Sequence, residues 1–598
     1  KTPDVSRAKK SLSEGALRPS DLLAQFKQIE ARTRTQIHAA ELLDNTVELI
    51  REMVYTNTMM QPNPYDRENL LHVTGCSAEL QTPSCQADCL SERYRSITGE
   101  CNNRQHPRWG AANIPYSRWL PPEYEDVWGT PRGWEPEHTY HNVSLPPVRL
   151  VSQEVLYTHN DNISVDCTLS HLLVDWGQWI DHDMVLTPQS PSTAAFKTGA
   201  DCTHTCSRDT PCFPIQILTW EHYLLRVLGE SAMSHLMPPY QGYDPAVDPS
   251  IANVFATAAF RFAHVTVQPV LTRLGPGYTT NSQYPSLPLH HSLFASWRVV
   301  QEGGIDPVLR GLLLSPAKLQ TPGQMMVEEL TERLFQAQGG MPLDLGALNL
   351  QRGRDHGLPG YGSWRRFCGL SVPNTTSELA DILANFTLAH KFQLLYGTPH
   401  NIDVWVGAIS EPALPGGRVG PLLSCLLAKQ FRALRDGDRF WWEREGVFTS
   451  SQRRHLHTTS LSRIICDNSH ITHVPADPFS RTESQNDMLP CSHPLIPHLD
   501  LSPWKEPDTD PSCGPIPRIQ SGYSLLCNSV ILYQCQSGFT LLGSSSISCD
   551  TKSQQWSSTP PTCQGAELKT KKSTCWFLGR NSCSNVNINE LVLISSFT

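Results

Sequence analysis

Nineteen cysteines, gathered in clusters along 598 residues, constrain this chain more than any other feature. The clusters run from Cys76 to Cys101, from Cys167 to Cys212, from Cys368 to Cys491 and from Cys513 to Cys583. Cysteines in this number are rare in a cytosolic enzyme and predict an oxidising compartment with a disulfide framework. Because nineteen is odd, at least one thiol is free or pairs outside the chain. Four N-glycosylation sequons also favour export, and they begin at Asn142, Asn162, Asn374 and Asn385.

The composition of the chain constrains where the protein is located and what it can bind. The net charge is −9 and no dense basic stripe occurs, which argues against binding to nucleic acid. No run of about 18 apolar residues occurs, so no transmembrane anchor is expected in this chain. The chain begins at Lys1 without a signal peptide, and we expect its beginning to be missing or removed. The secretory pathway, ending outside the cell or at its surface, is the predicted location.

The residue pattern divides the chain into four parts. Residues 1–75 lack cysteine and show helical spacing, which predicts an N-terminal helical extension. Residues 76–505 are predicted to be mainly α, with helices over VEELTERLFQAQ, SELADILANFTLAHKFQLLY and PLLSCLLAKQFRALRDGDRFWW. Beyond a linker rich in proline and aspartate, residues 513–563 combine spaced cysteines with short strands, as in a small disulfide-stapled β module. Residues 564–598 form a polar tail.

The stretch HLLVDWGQWIDHDM reads as a helix with one apolar face and one polar stripe. The stripe contains Asp175, Gln178, Asp181 and His182. One interpretation is a solvated helix face with a structural histidine. The other is a cavity in which His182 handles protons, with Gln178 one turn before it.

Two further segments carry candidate site residues. His264 follows Arg261 by three residues in the apolar segment AAFRFAHVTVQP, where a lone histidine is more often a core residue than a ligand. If His264 binds a metal, its other ring nitrogen needs an acceptor. Asn349, in LNLQRGRDHGLPGYGSW, is suited to that role, although RDHG can also be read as a charged turn with internal ion pairs. Hydrolase motifs, a Walker loop and a CxxCH haem attachment are absent from the sequence.

These motifs together resemble the animal haem peroxidase family. The resemblance is carried by CNNRQHPRWG, WLPPEYED, WGQWIDHDM, DCTHTCSRDTPCFPIQ, NVFATAAFRFAHVTVQP, GGIDPVLRGLL, LNLQRGRDHGLPGY, RVGPLLSCLL and RDGDRFWWE, in the order of the family. It covers residues 76–505, and residues 513–563 resemble a sushi (complement control) module. The implied fold is a mainly α peroxidase domain followed by a small all-β module. The sushi pattern implies disulfides Cys513–Cys549 and Cys535–Cys563 and leaves Cys527 without a place.

The resemblance also implies roles for individual residues. His182 would be the distal histidine that moves the peroxide proton, with Gln178 beside it. His264 would bind the iron of a b-type haem, with Asn349 as its hydrogen-bonding partner. The other cofactor-binding residues would be Asp181, esterified to a haem methyl, together with Arg261 and Arg352, and Asp183 would be the first ligand of a calcium ion.

A sushi module after the peroxidase domain is typical of the branch of the family that uses H2O2 to oxidise iodide. That branch also iodinates and couples tyrosines of thyroglobulin. The present chain departs from the family where Gln216 meets Ile217, because a block is missing there. The block would carry the calcium loop, the distal arginine and a second ester-forming glutamate, and Cys206 is expected to lose its disulfide partner with it. The alternatives are therefore a catalytically impaired truncated variant or a secreted binding or adhesion protein.

Overall fold

The computed structural model describes residues 83–85, 94–185 and 216–565, apart from short gaps. The gaps are residues 97, 113, 127–128, 294, 296, 337–341, 506–508, 511–512, 528–529, 537–538 and 551. The predicted helical extension at residues 1–75, Cys206, and the polar tail beyond residue 565 lie outside the described residues.

Helices dominate the described residues between 148 and 468, as the sequence predicted. The α-helices are Val148–Val151, Leu172–Met184, Leu224–Leu228, Glu230–Leu236, Asn253–Thr257, Trp297–Gln301, Asp306–Leu314, Glu328–Thr331, Leu345–Asp355, Tyr361–Phe367, Thr376–Leu383, Phe386–Tyr396, Val404–Ile409, Pro421–Asp436, Ser450–Leu456 and Leu461–Asn468. Wider or tighter helical turns occupy Ser152–Leu156, Leu218–Tyr223 and Ala259–Thr266. Buried side chains from many of these helices form one large apolar core.

Local capping explains where several helices begin. The Asp344 side chain accepts a hydrogen bond from Ala347 N, which starts the helix Leu345–Asp355. Thr449 and Gln452 form a reciprocal capping box before Ser450–Leu456. Pro421 occupies the first position of Pro421–Asp436, where its missing N–H costs nothing.

Three helix predictions need correction. The helix predicted over PLLSCLLAKQFRALRDGDRFWW ends at Asp436, so its last six residues are not helical. SELADILANFTLAHKFQLLY is two helices, because Ala384 takes a left-handed conformation and Asn385 caps a new helix. Among the described residues of VEELTERLFQAQ, 327–336, only Glu328–Thr331 are helical. Beyond it Phe335 has a positive φ of 62°, and Leu334 forms a β-bridge with Leu343. A β-bridge to a residue nine positions later therefore outweighs the helical pattern in this segment.

Short paired strands connect segments of the helical part that are far apart in the chain. They form two-stranded pairs, namely Tyr157–Thr158 with Met326–Val327, Val165–Ser170 with Pro316–Lys318, Val270–Leu271 with Leu287–Pro288, and His473–Val474 with Leu489–Pro490. The first pair is parallel and the other three are antiparallel. Val165–Ser170 leads directly into the helix Leu172–Met184 and so sets the place where that helix begins.

The C-terminal module is all-β and has a small core of its own. Its strands are Thr509–Asp510, Gly514–Pro515, Gly522–Cys527, Val530–Cys535, Phe539–Leu542, Ser546–Asp550, Gln555–Trp556 and Thr562–Gly565. Ile531, Tyr533 and Ile547 are buried together at its centre. The disulfides Cys513–Cys549 and Cys535–Cys563 confirm the predicted pairing. In the helical part, further disulfides join Cys85 to Cys101, Cys368 to Cys425 and Cys466 to Cys491, while Cys167 is free and exposed.

Candidate functional site

The helix Leu172–Met184 carries the polar stripe that the sequence predicted. Its start is held by His171 N, which donates to Ser315 O at 2.8 Å, next to the paired strands below it. Leu172, Leu173 and Ile180 are buried in the core, whereas His182 remains exposed at the far end. The helix therefore anchors one face in the core and is exposed at its C-terminal end, at His182.

The segment Ala259–Thr266 packs against this helix and brings His264 toward it. Burial, together with smaller effects from the charges of Arg261 and His182, lowers the pKa of the His264 imidazole to about 3. The imidazole is therefore neutral at physiological pH, which is the form that binds a metal. The influence of His182 on this pKa also places the two histidines within electrostatic reach of each other.

Asn349 contacts the ring of His264. The Asn349 amide nitrogen, Nδ2, lies 2.7 Å from Nδ1 of His264, and the Asn349 side chain is almost completely buried. The amide nitrogen and oxygen exchange places by a half-turn of the side chain, so the oxygen can equally occupy the near position. In that orientation the oxygen accepts the Nδ1–H and leaves the Nε2 lone pair free for a metal.

Two arginines lie in the same neighbourhood. Arg261 Nε donates to Ala256 O at 3.1 Å, and the Arg261 charge acts on Asp181, His264 and Arg352. Burial lowers the pKa of Arg352, and repulsion from Arg261 lowers it further. Two neighbouring guanidinium groups form a site that favours the carboxylate groups of a ligand.

The aspartates beside His182 face different charges. Burial raises the pKa of Asp181, while Arg261 and His182 oppose that rise. Asp181 Oδ1 is buried without a hydrogen-bond partner in the described structure. Burial also raises the pKa of Asp183, although its side chain keeps accessible surface, and Arg95 opposes the rise.

The residues fit a haem better than a calcium ion. Three features match what a haem requires. His264 is neutral and has a buried amide partner, Asp181 has a buried carboxyl oxygen without a partner, and two guanidinium groups lie nearby. Among the described residues, no three histidine, cysteine, aspartate or glutamate side chains gather as a metal site requires. Asp183 alone supplies too few oxygens for calcium, which takes six to eight. The described part of the chain therefore does not fit the calcium ion.

The RDHG segment is structural. Arg354 makes a two-point ion pair with Asp403, with nitrogen–oxygen distances of 3.0 and 2.7 Å. Nδ1 of His356 lies 2.9 Å from Oδ1 of Asn253. Arg354 therefore pairs with a distant element, and its partner does not come from within the turn.

The structure adds to the site Tyr223 and Lys318, which sequence reasoning did not single out, and gives Asp175 of the polar stripe a distinct environment. Asp175 lies on the helix of His182, burial raises its pKa to about 7, and its Oδ2 has no hydrogen-bond partner in the described structure. Tyr223 packs against Gly177, and the charge of Asp181 contributes to the raised pKa of its hydroxyl. Lys318 donates to the backbone oxygens of Val265, Leu319 and Gln324 while only 1% exposed. Its position as a lone lysine in the apolar stretch LLLSPAKLQ was the available signal.

Comparison with protein-family models matches the helical part to the family described as "Animal haem peroxidase". The match falls in two pieces, residues 94–219 and residues 215–479, which meet close to Gln216. Residues 513–563 match the "Sushi repeat (SCR repeat)" family. The two-piece match is the result expected when a block of the family sequence is missing between the pieces.

Several curated proteins are similar over most of the chain. Thyroid peroxidase of Sus scrofa is 37% identical over 735 residues, covering 92% of this chain and 79% of that protein. Eosinophil peroxidase of Homo sapiens is 35% identical, covering 83% of this chain and 92% of that protein. The first alignment is longer than the 598 residues of this chain, so that relative contains residues that this chain lacks.

Solved structures agree on the fold. Peroxidase A from Dictyostelium discoideum covers 63% of this chain and 97% of its own length, with a TM-score of 0.52 and 22% identity. In the part of the chain that the structure describes, no helix combines the length and apolar character needed to cross a membrane.

Proposed function

Because this chain belongs to the animal haem peroxidase family, we propose that it binds haem between His182 and His264 and uses H2O2 to oxidise a donor. The observation that carries this proposal is the contact of Asn349 with Nδ1 of His264, on a histidine within electrostatic reach of His182. In that arrangement His264 would supply a neutral imidazole as the iron ligand, and His182 would supply an exposed imidazole for proton transfer.

Four residues would hold the cofactor beside His264. Asn349 orients the imidazole, Arg261 and Arg352 neutralise the haem carboxylates, and Asp181 is available for an ester to a haem methyl. When bound, the haem supplies the redox centre that takes oxidising equivalents from H2O2 and delivers them to the donor. Two observations support this assignment. Oδ1 of Asp181 has no hydrogen-bond partner in the described structure, and Arg261 and Arg352 repel each other.

His182 would manage the proton in this reaction. It would accept the proton from one peroxide oxygen and return it to the other, so that water can leave. Gln178, one turn earlier on the helix, would hold a water or a peroxide oxygen in place. The exposed position of His182 at the open end of its helix supports this role, because peroxide must reach it from solvent.

For the donor, we propose iodide, with iodination and coupling of thyroglobulin tyrosines as the wider reaction. This part rests on the sushi module at 513–563 and on the similarity to thyroid peroxidases. We place the protein in the secretory pathway, because the disulfides and the surface position of the sequons suit an oxidising compartment.

A second candidate function is an impaired peroxidase. The two-piece family match meets near Gln216, where the family carries its distal arginine and calcium loop. Without that arginine the charge developing on the departing peroxide oxygen is poorly stabilised, so the first step slows. We therefore propose that this chain holds haem by at most one ester, lacks stoichiometric calcium and turns over iodide slowly.

One set of measurements tests these proposals together. The chain is produced in a secretory host with haem. We would then measure the Soret band, the calcium bound per protein, the haem left after acid–acetone extraction and the rate of iodide oxidation with H2O2. His264→Ala should abolish haem retention, whereas His182→Ala should retain haem and lose its reaction with peroxide. Equal Soret intensity in both variants would contradict the haem assignment. A wild-type chain without any Soret band would instead favour a secreted binding or adhesion protein, and stoichiometric calcium with rapid turnover would contradict the impaired function.

A further inference from the structure

The helix Phe386–Tyr396 exposes a strip of apolar surface. Leu388, Ala389, Phe392 and Tyr396 form its buried face, whereas Phe386 and Leu394 are 70% and 73% exposed. His390 lies between them, also exposed, with its ring nearly parallel to that of Phe386 at 6.3 Å. Residues spaced by four share one helix face, so Phe386, His390 and Leu394 form a strip about 12 Å long. Single exposed apolar residues are ordinary, but apolar side chains aligned on one helix face indicate a surface that another group covers.

A sequon begins immediately before the strip. Asn385, followed by Phe386 and Thr387, caps the helix, and its Oδ1 accepts a hydrogen bond from Leu388 N at 2.9 Å. Capping uses the amide oxygen, whereas an N-linked glycan is attached to the amide nitrogen. The same side chain can therefore cap the helix and carry a glycan.

A second sequon lies near the other end of the strip. Asn374 is exposed and precedes the helix Thr376–Leu383, which packs beside Phe386–Tyr396. The side chains of Thr376 and Gln393 meet at 2.9 Å, which brings the residues after Asn374 close to Leu394. One sequon thus adjoins Phe386, and the other lies two residues before Thr376, which contacts Gln393, the chain neighbour of Leu394.

We propose that N-linked glycans on Asn385 and Asn374 cover this strip. The C–H faces of sugar rings pack on aromatic and aliphatic side chains, and their hydroxyls remain hydrated, so a glycan covers apolar surface without creating a protein interface. The strip is then a folding and solubility device of the secreted protein and is independent of the haem site.

The experiment uses the full chain secreted from a glycosylating host. Peptide mapping after enzymatic glycan release in water enriched in oxygen-18 should find Asn385 and Asn374 converted to labelled aspartate. Asn385→Asp combined with Asn374→Asp should raise the binding of an apolar fluorescent dye severalfold and promote self-association. Aspartate caps helices as well as asparagine does, so this variant loses the glycan and keeps the cap.

Two matched variants make the result specific. Asn162→Asp removes a surface sequon from another part of the chain and should leave dye binding unchanged. Adding Phe386→Ser and Leu394→Ser to the glycan-free variant should return dye binding to the wild-type level. If a glycan-free variant is not secreted, enzymatic removal of glycans from the folded wild-type protein supplies the same comparison. Each of three results would overturn the proposal. They are unmodified Asn385 and Asn374, dye binding that does not change when the glycans are removed, and self-association of the glycosylated protein through the strip.

Discussion

Asn349 and His264 are 85 positions apart in the chain, yet the Asn349 amide lies 2.7 Å from Nδ1 of the His264 ring. Asn349 reaches this position from a helix whose first turn is capped by Asp344. His264 reaches it from a short turn-like helix packed beside the helix of His182. The contact therefore depends on how three separate elements pack.

Replacing Asn349 with leucine should weaken haem binding by about 10- to 100-fold, because the imidazole loses the partner that orients it. The measurement is a haem titration followed at the Soret band. Asn401→Leu is the matched control, since Asn401 is also buried but bonds to the backbone oxygens of Tyr140 and Tyr396. If both variants lose the same haem affinity, the effect belongs to folding and the role of Asn349 is wrong.

Replacing Lys318 with methionine should destabilise the protein by about 3 kcal/mol or more, because three buried backbone oxygens lose their donor. One of these oxygens belongs to Val265, next to His264, so the Soret band should shift as well. Lys391→Met, at an exposed lysine, should change the free energy of unfolding by no more than about 0.5 kcal/mol. Denaturant unfolding measures the free energy of unfolding of Lys318→Met, Lys391→Met and wild type. Equal stability of Lys318→Met and wild type would contradict the prediction.

Gly177→Ala should destabilise the helix of His182 by about 1–3 kcal/mol, since the new Cβ would lie 2.4 Å from the Tyr223 hydroxyl oxygen. Gly353 offers the contrast, because it is also helical and its nearest neighbour to an added Cβ is 3.6 Å away. Gly353→Ala should be neutral or stabilising by up to about 1 kcal/mol, as alanine favours helix. Thermal unfolding should separate the two variants, and a wild-type melting temperature for Gly177→Ala would show that Tyr223 moves aside freely.

Asp175 should make stability fall as pH rises. Burial raises its pKa to about 7 from an ordinary 3.8. Between these values the folded protein keeps a proton that the unfolded chain has lost, so stability is lost on raising the pH through this range. Asp175→Asn should therefore gain stability relative to wild type from about pH 4 to pH 7, with a constant gain above pH 7.

The test of the Asp175 prediction is the unfolding midpoint measured across that pH range. Asp381→Asn, at an exposed carboxylate, should follow the wild-type curve. Parallel curves for Asp175→Asn and wild type would mean that Asp175 does not titrate differently in the two states.

The module at 513–563 should fold alone when its two disulfides are intact. Its buried centre is small, and a domain of about 60 residues or fewer is marginal without covalent links. Removing one link with Cys535→Ser and Cys563→Ser should cost about 2–5 kcal/mol. Near-ultraviolet circular dichroism around Trp556 and Tyr533 reports the fold, and a cooperative fold in the fully reduced module would contradict the expectation.

The sequence by itself determined the features that depend on neighbours along the chain. Cysteine spacing led to the pairing Cys513–Cys549 and Cys535–Cys563 through the sushi resemblance, and apolar spacing located the helices Leu172–Met184 and Pro421–Asp436. These features follow from periodicity, capping and covalent links, which act within a few residues or through a recognisable pattern. The roles of His182, Asp181 and Asp183 came from the resemblance and remain predictions.

Only the tertiary structure decided which distant groups meet and what surrounds them. It placed the Asn349 amide on His264, buried Lys318 against Val265, and left Asp175 desolvated on the helix of His182. It also ended the helix at Thr331 by pairing Leu334 with Leu343. The physical reason is that burial, hydrogen-bond partners and pKa values depend on the packing of elements far apart in the chain, which local spacing does not encode.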